Sequence, residues 1–152
     1  MLFRSIHASG WRFNQIVCIA RGGLRVGDTL SRIFDLPLAI ISARSYGGGT
    51  GTVRGELKIA DQLTMITPSL GDTVLLVDDL VDSGATLEKV RQHLLERYPA
   101  IKEVRTAVLW RKASARFTPE YQAEFLAESP WIHQPFEHYD LMSAQELRNR
   151  TR

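Results

Sequence analysis

The sequence predicts an α/β domain built on a largely parallel sheet, and three observations lead there. Helix-like and strand-like segments alternate along the chain. An apolar run without polar alternation, QIVCIA at 15–20, passes through Arg21-Gly22-Gly23 straight into an amphipathic stretch, which is the pattern of a βα unit. Finally, 152 residues at 44% hydrophobic are enough for one core and too few for two of ordinary size, so a single domain over 1–152 is expected.

QIVCIA reads as a buried strand because β-branched and apolar residues follow one another without the alternation of a half-exposed strand. Leu24, Gly27, Leu30, Ile33 and Phe34 then recur at helical spacing, which predicts a helix over 24–34 that packs back on the sheet through those residues. The next strand is PLAIISAR, 37–44, with Pro37 at its start, where a missing N–H does least harm. SYGGGTGTVRG, 45–55, has five glycines and no apolar periodicity, so it is expected as a mobile loop or lid. ELKIADQL returns from it as a strand, and PSLGD (68–72) is a turn before the strand TVLLVD.

After Ser83-Gly84-Ala85-Thr86 a helix presents Leu87, Val90, Leu94 and Leu95 on one face and ends at Tyr98-Pro99. EVRTAVLW, 103–110, is a strand that finishes before Arg111 and Lys112, and YQAEFLAE is a shorter one. SPWIHQPFE has two prolines and too little periodicity for regular structure. In SAQELRNR, Ser143 and Glu146 stand at the spacing of a capping box.

A formal charge of +2, with basic residues dense only in the tail RNRTR, argues against a nucleic-acid partner. No apolar run approaches a membrane span, and the lone cysteine, Cys18, reads as a small buried apolar residue suited to a reducing cytoplasm. The four histidines show no metal-ligand spacing.

The chemistry concentrates in TVLLVDDLVDSGATLEKV, 73–90. Ligands bind outside the carboxyl ends of parallel strands, and Asp78 and Asp79 fall there. Neighbouring side chains on an extended chain point to opposite sides, so one acid can accept from ligand hydroxyls while the other faces a metal or a second group. An isolated Asp pair more often tethers backbone in a surface turn. Here, however, Ser83-Gly84-Ala85-Thr86 adds backbone N–H groups and two hydroxyls at a helix N-terminus, an anion cradle beyond what a helix cap needs. Acids for a diol beside a phosphate cradle describe a sugar-phosphate site.

VLLVDDLVDSGATL resembles the phosphoribosyl pyrophosphate signature of type I phosphoribosyltransferases. IARGGLRVG resembles that family's pyrophosphate loop, and VLWRK with SPWIHQPFE resembles the base-binding region of its xanthine-guanine and hypoxanthine members. The likeness covers most of residues 16–137. It implies a central mostly parallel sheet flanked by helices, a flexible active-site loop, and a small C-terminal base-binding hood at approximately 113–140.

By that resemblance Asp78 and Asp79 would hold the ribose hydroxyls, with Asp79 nearer a magnesium ion, and Ser83, Gly84, Ala85 and Thr86 would bind the 5′-phosphate. Asp82 would manage the proton on the purine ring as general base or acid. Arg21 and Gly22 would contact pyrophosphate. Arg54 and Lys58 flank the glycine-rich loop, whose start, Ser45-Tyr46, resembles the family's, and Arg54 would join the phosphoribosyl pyrophosphate site. Lys112 would donate to the 6-oxo group of a purine, Trp131 would stack on the base, and the carbonyl of Ile132 would read the 2-position.

The implied activity is transfer of a phosphoribosyl group to xanthine, guanine or hypoxanthine in purine salvage, by a cytoplasmic homodimer or homotetramer. Departures from the pattern are Ser83 for threonine, Ala85 for glycine, Phe136 for tryptophan, and a short N-terminus that could mean a missing helix, an exposed apolar face or compensation by a partner subunit. The alternative is a non-catalytic nucleotide sensor, which would keep the cradle but could lose Asp82, Lys112 or the aromatic stack. A receiver-type signalling domain also pairs acids after a strand, although there they open the domain and here they lie mid-chain.

Overall fold

The computed structural model describes residues 1–46, 56–137, 139 and 142–150. Its elements are α1 (Leu2–Ala8), β1 (Gln15–Ala20), α2 (Leu24–Phe34), β2 (Leu38–Tyr46), β3 (Glu56–Ile59), β4 (Thr73–Val81), α3 (Ala85–Arg97), β5 (Glu103–Lys112), β6 (Tyr121–Leu126) and α4 (Ala144–Arg150). They form a six-stranded sheet in the order β3-β2-β1-β4-β5-β6. Only the β2–β3 pair is antiparallel, and β1–β2, β1–β4, β4–β5 and β5–β6 are parallel.

Alternation along the strands divides the core into two layers. Val17, Ile19, Val74, Leu76, Val104 and Val108 point to the side where Leu87, Val90 and Leu94 of α3 pack. Ile16, Cys18, Leu75, Val77 and Ala107 point to the other, against Leu2 and Ile6 of α1 and Val26 and Leu30 of α2. β1 is therefore apolar throughout because both of its faces are covered, as the parallel-sheet reading requires. Each such fully buried aliphatic side chain contributes roughly 1.5–3 kcal/mol from burial.

Several sequence expectations are revised. β4 and β5 extend beyond the expected strands, so Asp79 joins Asp78 within β4, and Arg111 and Lys112 lie within β5. Backbone pairing carries both strands on, with Asp78 opposite Val108 and Val81 opposite Arg111, whatever the polarity of the side chains. Leu95 is 40% exposed, one helical step of about 100° round from buried Leu94. Ile33 is likewise exposed, and Val26, which the expected face did not include, is buried on the α2 core face instead.

A short helix that the sequence pattern did not predict, α1, forms near the N-terminus, with Leu2 and Ile6 buried. The capping box is present, since Ser143 N–H donates to Glu146 Oε2 at 2.7 Å and Glu146 N–H donates to Ser143 Oγ at 3.3 Å. No helix among the described residues is long and apolar enough to cross a membrane.

Candidate active site

The strand order creates the site. From β1 the chain moves to β2 on one side, while β4, β5 and β6 build outward on the other, so the strand order reverses between the parallel neighbours β1 and β4. The β1–β4 ladder ends at Cys18 opposite Val77, whereas β4 continues beside β5 as far as Val81. A notch opens past the end of β1.

Arg21-Gly22-Gly23 turns into that notch, following a cis peptide bond between Ala20 and Arg21. A Cβ at Gly22 would lie 2.5 Å from Asp79 Oδ1, and one at Gly23 would lie 2.7 Å from the carbonyl oxygen of Val77. Absent side chains thus let the loop press against β4. α2 begins immediately afterwards with Gly23 as its N-cap and no side-chain cap, leaving the N–H groups of its first turn at the notch.

The acidic pair lines the opposite wall. Asp78 Oδ1 accepts from the Asp79 N–H at 2.9 Å, and Asp79 Oδ2 accepts from the Gln134 side-chain amide at 3.0 Å. Burial first, and the neighbouring Asp79 charge second, push the Asp78 carboxyl well above the usual carboxylate range. Two adjacent carboxylates, one of which resists ionisation, form a place where a cation would be stabilising. Their oxygens are the hard donors magnesium prefers, and magnesium commonly takes only one or two protein carboxylates, with substrate oxygens and water completing its shell.

Beyond the acids, Asp82 to Gly84 make the turn into α3. Gly84 carries φ +89°, and a Cβ there would run into Phe117 as well as straining the backbone. Ala85 is not among the residues at positive φ, so the alanine departure introduces no strain. α3 also lacks a side-chain N-cap, and its nearest hydroxyl, Ser83 Oγ, accepts from Ala85 N–H at only 3.4 Å. The cradle of Ser83, Gly84, Ala85 and Thr86 is accordingly open to an anion.

Asp82, Lys112 and Trp131, which come from three separate segments, meet at the outer end of this turn. Lys112 is 6% exposed, yet its Nζ reaches 3.5 Å from Asp82 Oδ1 and 5.7 Å from the Trp131 ring centroid. Trp131 is 71% exposed, so it is no core residue, and the half-buried Ile132 follows it. A lysine rooted in the sheet beside an open indole face can grip a flat, polar-edged ring.

Gly22, which abuts Asp79, also lines a cavity of about 900 Å³ together with Arg21, Arg25, Arg44, Phe136 and Tyr139, among others. Arg25, Arg44, Gln134 and Phe136 were not among the expected site residues. Arg25 alone had a local signal, since it is a second arginine only four positions after Arg21. The expected contributor Arg54 and the rest of 47–55 lie outside the described residues, and Lys58 stands on β3.

The family model of the phosphoribosyl transferase domain matches residues 1–141. A hypoxanthine/guanine phosphoribosyltransferase of Methanopyrus kandleri is 35% identical over 82 residues, 49% of this chain and 41% of that protein. A xanthine-guanine phosphoribosyltransferase of a Ruegeria species is 39% identical over 84 residues, 53% of this chain and 47% of that protein. These alignments thus span less than half the length of either curated relative. Among solved structures, the Helicobacter pylori xanthine-guanine-hypoxanthine phosphoribosyltransferase superposes with a TM-score of 0.70 at 29% identity, covering 97% of this chain and 89% of that one. With a family model that matches 1–141 of its 152 residues, the chain belongs to the phosphoribosyl transferase domain family.

Proposed function

We propose that this protein transfers the 5-phosphoribosyl group from phosphoribosyl pyrophosphate to a 6-oxopurine (xanthine, guanine or hypoxanthine), giving the nucleotide and pyrophosphate. The observation that carries the reading is the meeting of Asp82, Lys112 and Trp131 beside the cradle, because a sugar-phosphate site alone has no need of a buried lysine and an exposed indole. The names of the matched relatives support it.

In this reading Ser83, Gly84, Ala85 and Thr86 bind the 5′-phosphate through amides and hydroxyls, and Asp78 and Asp79 accept from the ribose hydroxyls. Arg21, the Gly22 backbone and Arg54 receive the pyrophosphate. Lys112 donates to the 6-oxo group, which rejects a 6-amino purine that offers no acceptor there. Trp131 stacks on the base, and the Ile132 carbonyl faces its 2-substituent.

As the purine nitrogen approaches C1, Asp82 takes the proton that the ring must lose, and Lys112, 3.5 Å away, keeps that carboxylate oriented. The Asp79 carboxylate, with Asp78 beside it, stabilises positive charge developing on the sugar, as in glycoside cleavage. Magnesium, held through Asp79, would neutralise charge on the departing pyrophosphate. The corresponding cellular reading is purine salvage by a cytoplasmic homodimer or homotetramer.

The test is turnover of xanthine, guanine, hypoxanthine and adenine by purified protein with magnesium and phosphoribosyl pyrophosphate. Nucleotide from the 6-oxopurines but not from adenine is expected. Binding of phosphoribosyl pyrophosphate without turnover of any base would favour a nucleotide sensor instead.

A further inference from the structure

The cavity beside the acidic pair holds more positive charge than the Arg-Gly-Gly turn supplies. Arg21, Arg25 and Arg44 all line it, and no carboxylate does among the described residues. Arg25 stands in the first turn of α2, on an element that starts at the cavity, and its guanidinium lies over the Phe136 ring at 4.3 Å from the centroid. Among the described residues it has no carboxylate partner. By contrast Arg32, two turns further along the same helix, pairs with Asp28 at 3.0 Å. A ring beneath a guanidinium fixes its plane while leaving its N–H edge available, so Phe136 holds Arg25 without consuming its donors.

We propose that Arg25 is an additional pyrophosphate-binding residue of this site, presented to the anion by the Phe136 ring. This rests on reading the site as one for phosphoribosyl pyrophosphate, and it adds a residue to Arg21 and Gly22, the two to which the resemblance gave the pyrophosphate. It also links the two ends of the reaction. Phe136 belongs to the same nine-residue stretch, SPWIHQPFE, as Trp131, so one segment carries both the stacking face proposed for the base and the support for an arginine proposed to hold the leaving group. Planar guanidinium edges suit paired phosphoryl oxygens, and a lysine in the same place would offer only a point charge.

The experiment compares wild type, Arg25→Gln, Arg25→Lys, Phe136→Leu and the Arg25→Gln/Phe136→Leu double variant. It measures inhibition by magnesium pyrophosphate, its binding by calorimetry, and KM for each substrate. Expected is a loss of roughly ten-fold or more in pyrophosphate affinity for Arg25→Gln, only partly restored in Arg25→Lys, with KM for the purine little changed. Phe136→Leu should show a smaller loss, and the double variant no more than Arg25→Gln alone, because the ring acts through the arginine.

Unchanged pyrophosphate affinity in Arg25→Gln, in a wild-type background that transfers phosphoribosyl groups, overturns the inference and leaves the proposed function standing. Additive losses in the double variant overturn the role given to Phe136. If wild type transfers nothing yet binds pyrophosphate in an Arg25-dependent way, the anion site stands and the proposed reaction falls. If wild type binds no pyrophosphate, the inference falls. Circular dichroism of each variant separates loss of binding from loss of fold.

Discussion

The side-chain amide of Gln134 donates to Asp79 Oδ2 at 3.0 Å across 55 positions of sequence, tying an irregular C-terminal segment to the central strand of the site. A hydrogen bond to a charged acceptor of this kind contributes about 1.5–3 kcal/mol at most when shielded from water, and less when partly exposed. Gln134→Leu should therefore leave Tm nearly unchanged while raising amide hydrogen exchange across residues 131–137. Exchange identical to wild type over that stretch would show that the contact does not hold the segment.

The two glycines of the turn separate function from stability. At Gly22 an added Cβ meets the Asp79 carboxylate at 2.5 Å, a side chain that can swing aside only by leaving its position in the site. Gly22→Ala is expected to fold, with kcat/KM for phosphoribosyl pyrophosphate down by about 100-fold. At Gly23 the neighbours are main-chain oxygens of Val77 and Ile19, at 2.7 and 2.8 Å, which cannot move without distorting β4 and β1. Gly23→Ala should destabilise the fold by about 1–3 kcal/mol or more. Chemical denaturation of both variants, alongside kinetics, distinguishes the two effects, and a reversed order would refute the assignment.

Asp82 is exposed, and its one charge partner among the described residues is Lys112, so removing its carboxylate should barely disturb the core. Asp82→Asn is expected to bind phosphoribosyl pyrophosphate normally while kcat falls by about 10²–10⁴-fold, the usual range for a lost general acid or base. Weakened binding with an unchanged kcat would contradict the role.

At the opposite end of β4, the Lys102 ammonium, with help from Asn14 and Thr73, lowers the Asp72 carboxyl to about 2. The folded value is depressed, so the interaction stabilises the fold above the unfolded value near ~4 and is lost as pH falls from there through about 2. Because the pair is exposed, the effect is small and screened by salt. Asp72→Asn should have a slightly lower Tm than wild type at pH ~7, with the two melting curves converging towards pH 2. A constant gap at every pH would point to packing, not charge.

Burial raises the Cys18 thiol to about 11, and the residue is wholly enclosed against α2. Thiolate is thus scarce at neutral pH, and iodoacetamide should label Cys18 only on unfolding. Mass spectrometry of native and denatured samples checks this. Rapid labelling of the native protein would mean that the α2 layer opens readily.

Much of this architecture was legible in the residues because local pattern and tertiary environment agree. β1 and α2 occupy the expected 15–20 and 24–34, since an uninterrupted apolar run and a 3.6-residue period each have one natural interpretation. α1 was not foreseen: it has seven residues, no side-chain N-cap and only Leu2 and Ile6 buried, too little for a stripe. The strand extensions through Asp79 and Lys112 depend on a paired neighbour, which polarity along one chain cannot reveal. The acidic pair and the cradle are contiguous and so could be read, whereas Gln134 and Phe136 matter only through partners 55 and 111 positions away.

Because β1 stops at Ala20 while β4 runs on to Val81, the recess is cut by unequal strand lengths before any side chain decorates it. The backbone supplies the vacancy and the lining supplies the preference. Substitutions on the rim can therefore redirect which ring is welcomed without endangering the scaffold, whereas lengthening β1 by two or three residues would erase the opening whatever the lining.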